Sequence, residues 1–540
     1  MIGMEQAAGT APGGLGAKLD VPDENIMERH ERLLGSILEA AQRSAVYRGR
    51  LDRSISLDGL SRLPLTSHML IERSIEENGL DACLLRTADL IFQTSGSTGS
   101  PKRMYYSHAD LDRVAEGFSG FLGMVGLQRG SVGWNLGGAL PNVSGVVLER
   151  TCDVAGIKKL TTLLDKDSDL IRALRKASKA DRIDAMASAA LAFFFVGRTV
   201  RDPDFLRGVV LGKLRRDYHL PGPLARLACR LYLSGIDRER LGRSLAQCQV
   251  AFTFAEPLTP YLHDLRETFP NMRFHDVFGS TENPVIAAQL DASVPGLSLF
   301  LSSSIPEIAD PAHVAEAKEG TRAEVPGIPW YRWTAGMKGE LIITRPGDCL
   351  PLVRYPTGDL IEVLDPARTI MVERDGGVVE ITLPLIKVLG REVEALDFEV
   401  EDESGNFLGG KIYSRNVHEA LQRPYNIRWW ELYSIKGNPG RLCFLIIPEI
   451  DVVDLARFKK ETLRHLLTEC DDPNHTIAIG HELGRLEIIV TKAAAYEVVQ
   501  RDIDRRMKEG RSLGQLKPKR IHVVEDEAAF RAAVREKIER

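Results

Sequence analysis

Residues Leu90–Ser107 read LIFQTSGSTGSPKRMYYS. A short apolar run leads into seven small residues, Thr94–Ser100, that close on Pro101 and Lys102. Gly96 and Gly99 permit backbone geometry that a side chain would forbid, while Thr94, Ser95, Ser97, Thr98 and Ser100 set hydroxyls beside exposed N–H groups. A loop of that composition suits phosphate oxygens. It is not the G-x-x-x-x-G-K-[ST] cradle, because Lys102 follows a proline and no hydroxyl residue comes after it. Nor is it a G-x-S-x-G nucleophile elbow, since the residues around Ser97 are out of register. A glycine-serine linker would not follow an apolar strand and end in Pro-Lys.

The rest of the chain bounds what such a loop can serve. With 540 residues it exceeds what one hydrophobic core usually organises, so two or three domains are expected. The formal net charge of −5 gives no overall basic footprint for nucleic acid or for an anionic membrane. Seven cysteines without C-x-x-C spacing read as reduced, buried thiols rather than a disulfide framework or a metal cage. Residues 1–22 read as a loose tail without the charge pattern of a signal peptide, which makes the cytoplasm the expected compartment. The longest apolar stretch, AMASAALAFFFV (Ala185–Val196), is too short to span a bilayer and reads as a buried helix.

Helical spacing in ERLLGSILEAAQRSAVYRGRL predicts an amphipathic helix across Asn25–Leu51. From the loop to about residue 300, helical segments alternate with short apolar strands, the rhythm of a layered α/β domain. Beyond about residue 335, strands joined by Gly and Pro turns predict a β-rich subdomain. After Arg391 a strand, helix, strand, strand, helix, strand pattern predicts a small α+β unit. The expected fold class is therefore α/β: a large N-terminal domain of several subdomains over 23–390, with a small mobile α+β lid over 391–540.

Four further segments carry chemistry. They are FTFAEPLTPYLHDLRETFPNMRFHDVFGSTENP (Phe252–Pro284), GMKGELIITRPGDCLPLVRYPTGDLIEV (Gly336–Val363), LIKVLGREVEALDFEV (Leu385–Val400) and GRSLGQLKPKRIHVV (Gly510–Val524). Together with TSGSTGSPK, and in this order, they resemble the signatures of the adenylate-forming superfamily, the acyl-CoA synthetases and their relatives. The resemblance spans nearly the whole chain. It is nearest in pattern to phenylacetate-CoA ligases and to archaeal synthetases that adenylylate a deazaflavin coenzyme.

That resemblance implies roles. Thr94, Ser95, Gly96, Ser97, Thr98, Gly99 and Lys102 would hold the β- and γ-phosphates of ATP. Ala255, Glu256 and Pro257 would line the adenine, Phe278 would stack on it and Asp276 would meet its amino group. Thr281 would bond the α-phosphate and Glu282 would hold Mg²⁺, a hard cation suited to one carboxylate plus substrate phosphates. Asp359 would accept from both ribose hydroxyls and Arg391 would reach the same sugar. Lys517, with Lys519 as the other candidate, would neutralise charge between the substrate carboxylate and the α-phosphate. The chain departs from the pattern at Val393, where the hinge residue usually stands, and at Ser414, where proline is common.

The activity implied is ligation with AMP release: ATP converts a small apolar or aryl carboxylic acid to an acyl adenylate, and coenzyme A takes the acyl group. The acid is expected near Asn135–Gly145, with Asn142 as a polar reader and Phe252, Phe254 and Phe278 as apolar walls or core. An amine, a carrier-protein thiol or a cofactor is the alternative acceptor, and a non-catalytic nucleotide-binding protein is the rival class. No nucleic acid or membrane partner is implied, and a homodimer is left open.

Overall fold

The computed structural model describes residues 26–94, 102–164, 167–254, 262–374, 377–391, 396–401, 407–422, 427–437, 440–470, 475–508 and 520–539. The helix expected over Asn25–Leu51 runs only from Ile26 to Ala41, and Ser44 then caps a 3₁₀ turn at Ala45–Tyr47. Strands β1 (Leu90–Gln93) and β2 (Arg103–Tyr106) pair as an antiparallel hairpin that forms its own two-stranded sheet. Ser107 and Asp110 close a capping box at the start of the helix His108–Met124, so the chain leaves the hairpin in a fixed direction.

A mixed sheet of twelve strands organises the region that follows. Its parallel part comprises β3 (Val132–Asn135), β4 (Lys158–Lys159), β5 (Ala185–Ala189), β6 (Val250–Phe254) and β7 (Arg273–Phe278), in the spatial order β4-β3-β5-β6-β7. Alternation along these strands explains why both faces are covered. Ala185, Ala187, Val250 and Phe252 point into one apolar cluster, while Trp134, Met186, Ala251 and Phe274 point into another. The run Ala185–Val196 is therefore half strand and half helix, with the helix beginning at Ala190. A strand buried on both faces is continuously apolar, so periodicity alone does not tell it from a buried helix.

The sheet continues antiparallel through β8 (Ala287–Ala288), β9 (Leu297–Leu299), β10 (Ile305–Ala309), β11 (Gly327–Pro329), β12 (Lys338–Arg345), β13 (Leu352–Arg374) and β14 (Gly377–Arg391). This is the β-rich region expected after residue 335, built around the long β13–β14 hairpin. Beyond it, β15 (Leu396–Glu401) pairs with β16 (Phe407–Ile412). The strands β17 (Ile427–Ile435), β18 (Arg441–Pro448), β19 (Leu486–Val490) and β20 (Ile521–Val524) form a separate sheet in the order β19-β18-β17-β20. Its two faces are again apolar: Trp430, Leu432 and Phe444 lie on one side, and Tyr433, Cys443 and Leu445 pack with Phe530 on the other. Trp429, Ile447 and Tyr496 join the apolar cluster that holds Trp134 and Met186, so the C-terminal sheet leans on the large one. All seven cysteines are free thiols, six of them buried.

Candidate active site

In a parallel sheet, ligands bind beyond the carboxyl ends of the strands. Here the described ends include the loop after β3 (Leu136–Asn142) and the turn after β7 (Gly279–Asn283), and the β1–β2 hairpin stands against both.

The hairpin is pinned where the phosphate-type loop leaves it. Thr94 N donates to Lys102 O and Lys102 N donates to Thr94 Oγ1, both at 3.0 Å. These paired bonds close the neck of the loop. Ser95, Gly96, Ser97, Thr98 and Gly99 lie outside the described residues, as do Ala255, Glu256, Pro257, Lys517 and Lys519. Gln93 N donates to Pro141 O at 2.9 Å, which ties the hairpin to the loop after β3.

The turn after β7 is held tightly. Ser280 N donates to Asn283 O at 2.9 Å and Asn283 N to Ser280 Oγ at 3.2 Å. Gly279 is required at its corner, because a Cβ there would stand 2.0 Å from Pro284 O. Tyr106, at the end of the hairpin, donates its hydroxyl to the carbonyl oxygens of Thr281 at 2.9 Å and Glu282 at 3.0 Å. Arg345 lies over the Tyr106 ring and donates to its hydroxyl at 3.3 Å.

Glu282 is the electrostatic centre. Its side chain is buried, Tyr355 donates to its Oε1 at 2.9 Å, and Lys102 Nζ stands 3.6 Å from the same oxygen. Burial pushes this carboxyl up, but Lys102, its own backbone amide, Ser280 and Tyr355 outweigh that and hold it below the ordinary value of 4.5. The result is a buried carboxylate kept ionised at neutral pH beside a lysine from the phosphate-type loop. One ionised oxygen ligand of this kind fits Mg²⁺, which takes one or two carboxylates and keeps substrate phosphates and water for the rest. Among the described residues no group of three or more His, Cys, Asp or Glu forms a metal cage.

Asp359 is buried just past the Thr357-Gly358 turn. Thr357 Oγ1 donates to Leu341 O at 2.8 Å and accepts from Asp359 N at 3.1 Å. Glu340 Oε1 accepts from Gly358 N at 3.0 Å and from Lys318 Nζ at 3.0 Å. The Gly-Glu-Leu stretch thereby props the turn that presents Asp359, and Gly358 adopts φ +80 there. Asp359 is the direct cross-strand partner of Arg391, so two residues assigned to one sugar meet on the β13–β14 ladder.

On β7, Asp276 accepts from Thr253 Oγ1 and its backbone amide points toward Gln289 Oε1 at 3.4 Å. Phe278 is half-buried at the end of the same strand. Phe252 belongs to the core: it packs edge-on against Phe121 at 5.4 Å and lies within 6.2 Å of Phe118 and of His275. Asn135 braces the loop after β3, donating from Nδ2 to Gly145 O at 2.9 Å and accepting from Gly137 N at 2.8 Å. Asn142 packs over Gly138.

Arg354, inside the same motif as Asp359, faces away from this chemistry. It is fully buried and donates to Glu307, Ser61 O, Leu63 O and Val325 O. Sequence reasoning had assigned no role to Tyr106, Tyr355 or Glu340. The only signal was their membership of the motifs, because each partner lies far along the chain.

No protein-family model and no curated protein matches the sequence. Solved structures do. A 2-hydroxyisobutyryl-CoA ligase in its postadenylation state, complexed with 2-HIB-AMP, aligns over 95% of this chain and 92% of its own, with a TM-score of 0.62 and 12% identity. The chain has the fold of the adenylate-forming enzymes. A GH3.15 acyl acid amido synthetase shares that fold over 95% of this chain and 94% of its own, with a TM-score of 0.60 and 13% identity. An open conformation of the same 2-hydroxyisobutyryl-CoA ligase, with 2-HIB-AMP and CoA, aligns over 86% of this chain with a TM-score of 0.52 and 13% identity.

Proposed function

We propose that this chain is an AMP-forming ligase that activates a carboxylic acid with ATP and passes the acyl group to coenzyme A. The observation that carries the reading is the meeting of Lys102, from the neck of the phosphate-type loop, with the buried ionised Glu282. A carboxylate is a poor electrophile, and in-line attack of its oxygen on the α-phosphorus, with pyrophosphate leaving, converts it to a reactive mixed anhydride. Most of that catalysis is positioning and charge neutralisation.

On this reading the loop from Thr94 to Lys102 binds the β- and γ-phosphates and Thr281 bonds the α-phosphate. Asp359 and Arg391 hold the ribose, and Ala255–Pro257, Asp276 and Phe278 hold the adenine. Glu282 would hold Mg²⁺, which supplies charge neutralisation on the phosphates. Lys517 completes the site from the C-terminal side, residues 23–390 form the nucleotide-binding unit and 391–540 the lid. The attacking acid is already ionised, so no general base is required. Phe254, Phe278 and the loop Asn135–Gly145 favour an apolar or aryl acid.

ATP–pyrophosphate exchange across a panel of acids tests the first step, and AMP with thioester on adding coenzyme A tests the second. Tight ATP binding with no exchange for any acid would sink the enzymatic reading in favour of a nucleotide-binding protein. The likeness to an acyl acid amido synthetase favours one second reading, transfer to an amine. Exchange without thioester, but with an amide on adding amino acids, selects it.

A further inference from the structure

Between β5 and β6 the chain inserts four helices, and the third of them, Gly222–Leu233, is apolar on two opposite faces. Its inner face is satisfied: Ala225 and Cys229 are buried, and Cys229 Sγ reaches Arg207 O of the preceding helix, Pro203–Asp217. Its outer face is not. Leu224, Leu227 and Leu231, at spacing i, i+3, i+7, form one stripe and are 55%, 53% and 66% exposed. Tyr232, on the same helix, is also exposed, as is Tyr218 four residues before the helix. Arg226 and Arg230 line one flank, are exposed, and have no ion-pair partner among the described residues. The segment Pro203–Leu233 carries six Lys or Arg against two Asp, within a chain whose net charge is −5. The average over the whole sequence conceals this local excess of basic residues.

We propose that this helix docks the protein on an anionic membrane surface, lying in the interface plane with its leucines inserted. Two observations favour a bilayer over other occupants. The helix carries no acid, so a second copy stacked antiparallel on it would set both arginine pairs along one edge unanswered, whereas lipid phosphates answer them. Exposed arginines beside an exposed apolar stripe, with an exposed tyrosine on the same helix, are the composition of a helix that lies in a membrane interface. No described helix is long and apolar enough to cross a membrane, so the contact is peripheral.

The test is co-sedimentation of the full chain with vesicles of phosphatidylglycerol and, separately, of phosphatidylcholine. Binding to the anionic vesicles that weakens with added salt is expected, with little binding to the zwitterionic ones. Arg226→Ala with Arg230→Ala should lower affinity about thirtyfold, and Leu227→Glu with Leu231→Glu should abolish it. All four positions are exposed, and circular dichroism of each variant checks that it folds. No binding to anionic vesicles, or equal binding by the leucine variant, overturns the proposal. So does a concentration-dependent dimer in light scattering that Leu227→Glu dissolves, which would give the face to a second copy, or capture of an acidic peptide without any vesicle binding.

Discussion

Replacing Tyr355 with Phe removes one hydroxyl and leaves the ring in its buried place. That hydroxyl donates to Glu282 Oε1 at 2.9 Å, and a hydrogen bond to a charged acceptor contributes about 1.5–3 kcal/mol. The Glu282 carboxyl should therefore titrate higher in the variant. The folded protein holds Glu282 below its ordinary 4.5, so the stabilisation from ionised Glu282 is complete at neutral pH. It is lost as the pH falls through the folded-state pKa. Tyr355→Phe should therefore be less stable than the wild type by about 1.5–3 kcal/mol at neutral pH, and the gap should narrow as the pH falls through the variant's folded-state pKa towards the lower one of the wild type. Urea unfolding at a series of pH values reads this directly, and the acid limb of ATP–pyrophosphate exchange should move to higher pH in parallel. A variant whose stability deficit is independent of pH would refute the argument, because the lost contact would then be packing rather than charge.

Three further outcomes are expected. Arg354→Met strands the buried Glu307 carboxylate and should cost about 3–5 kcal/mol in urea unfolding, with Glu307→Gln in the same chain recovering part of it. Gly279→Ala forces the turn open against Pro284 O and should cost about 1–3 kcal/mol of stability while reducing exchange more than tenfold. Lys517→Ala should lower exchange by about 10²–10³ yet still convert a supplied acyl adenylate; if Lys519→Ala alone gives that pattern, the lysine is misassigned.

Turn chemistry was the part of the site most legible in the sequence. Gly358 and Gly279 each occupy a backbone corner that the motif demands, and a local demand is visible locally. The layered α/β region and the C-terminal strands were legible for the same reason, since each follows from alternation within a few residues. What was hidden is long-range. Lys102 and Glu282 come together only because a separate hairpin stands against the end of β7, and nothing near either residue encodes that approach. Arg354 was hidden in a different way. It sits in a nucleotide-type motif and carries a charge, but a backbone φ of 47 and four acceptors turn it into the fold's interior. Phe252 shows the converse: an aromatic next to the site whose neighbours make it core.

The β13–β14 ladder shifts register at three places beyond the Asp359–Arg391 pair, between Leu360 and Ile361, Val363 and Asp365, and Asp365 and Arg368. Each shift lets the outer part of the hairpin slide relative to the inner part without passing the slip along. The hairpin is thus divided into an inner segment whose length is fixed by the pair it aligns and an outer segment free to gain or lose residues. Insertions at the outer end, such as a reporter peptide or an affinity tag, should leave nucleotide affinity intact. Deleting Leu360 would turn the side chains that follow it to the opposite face.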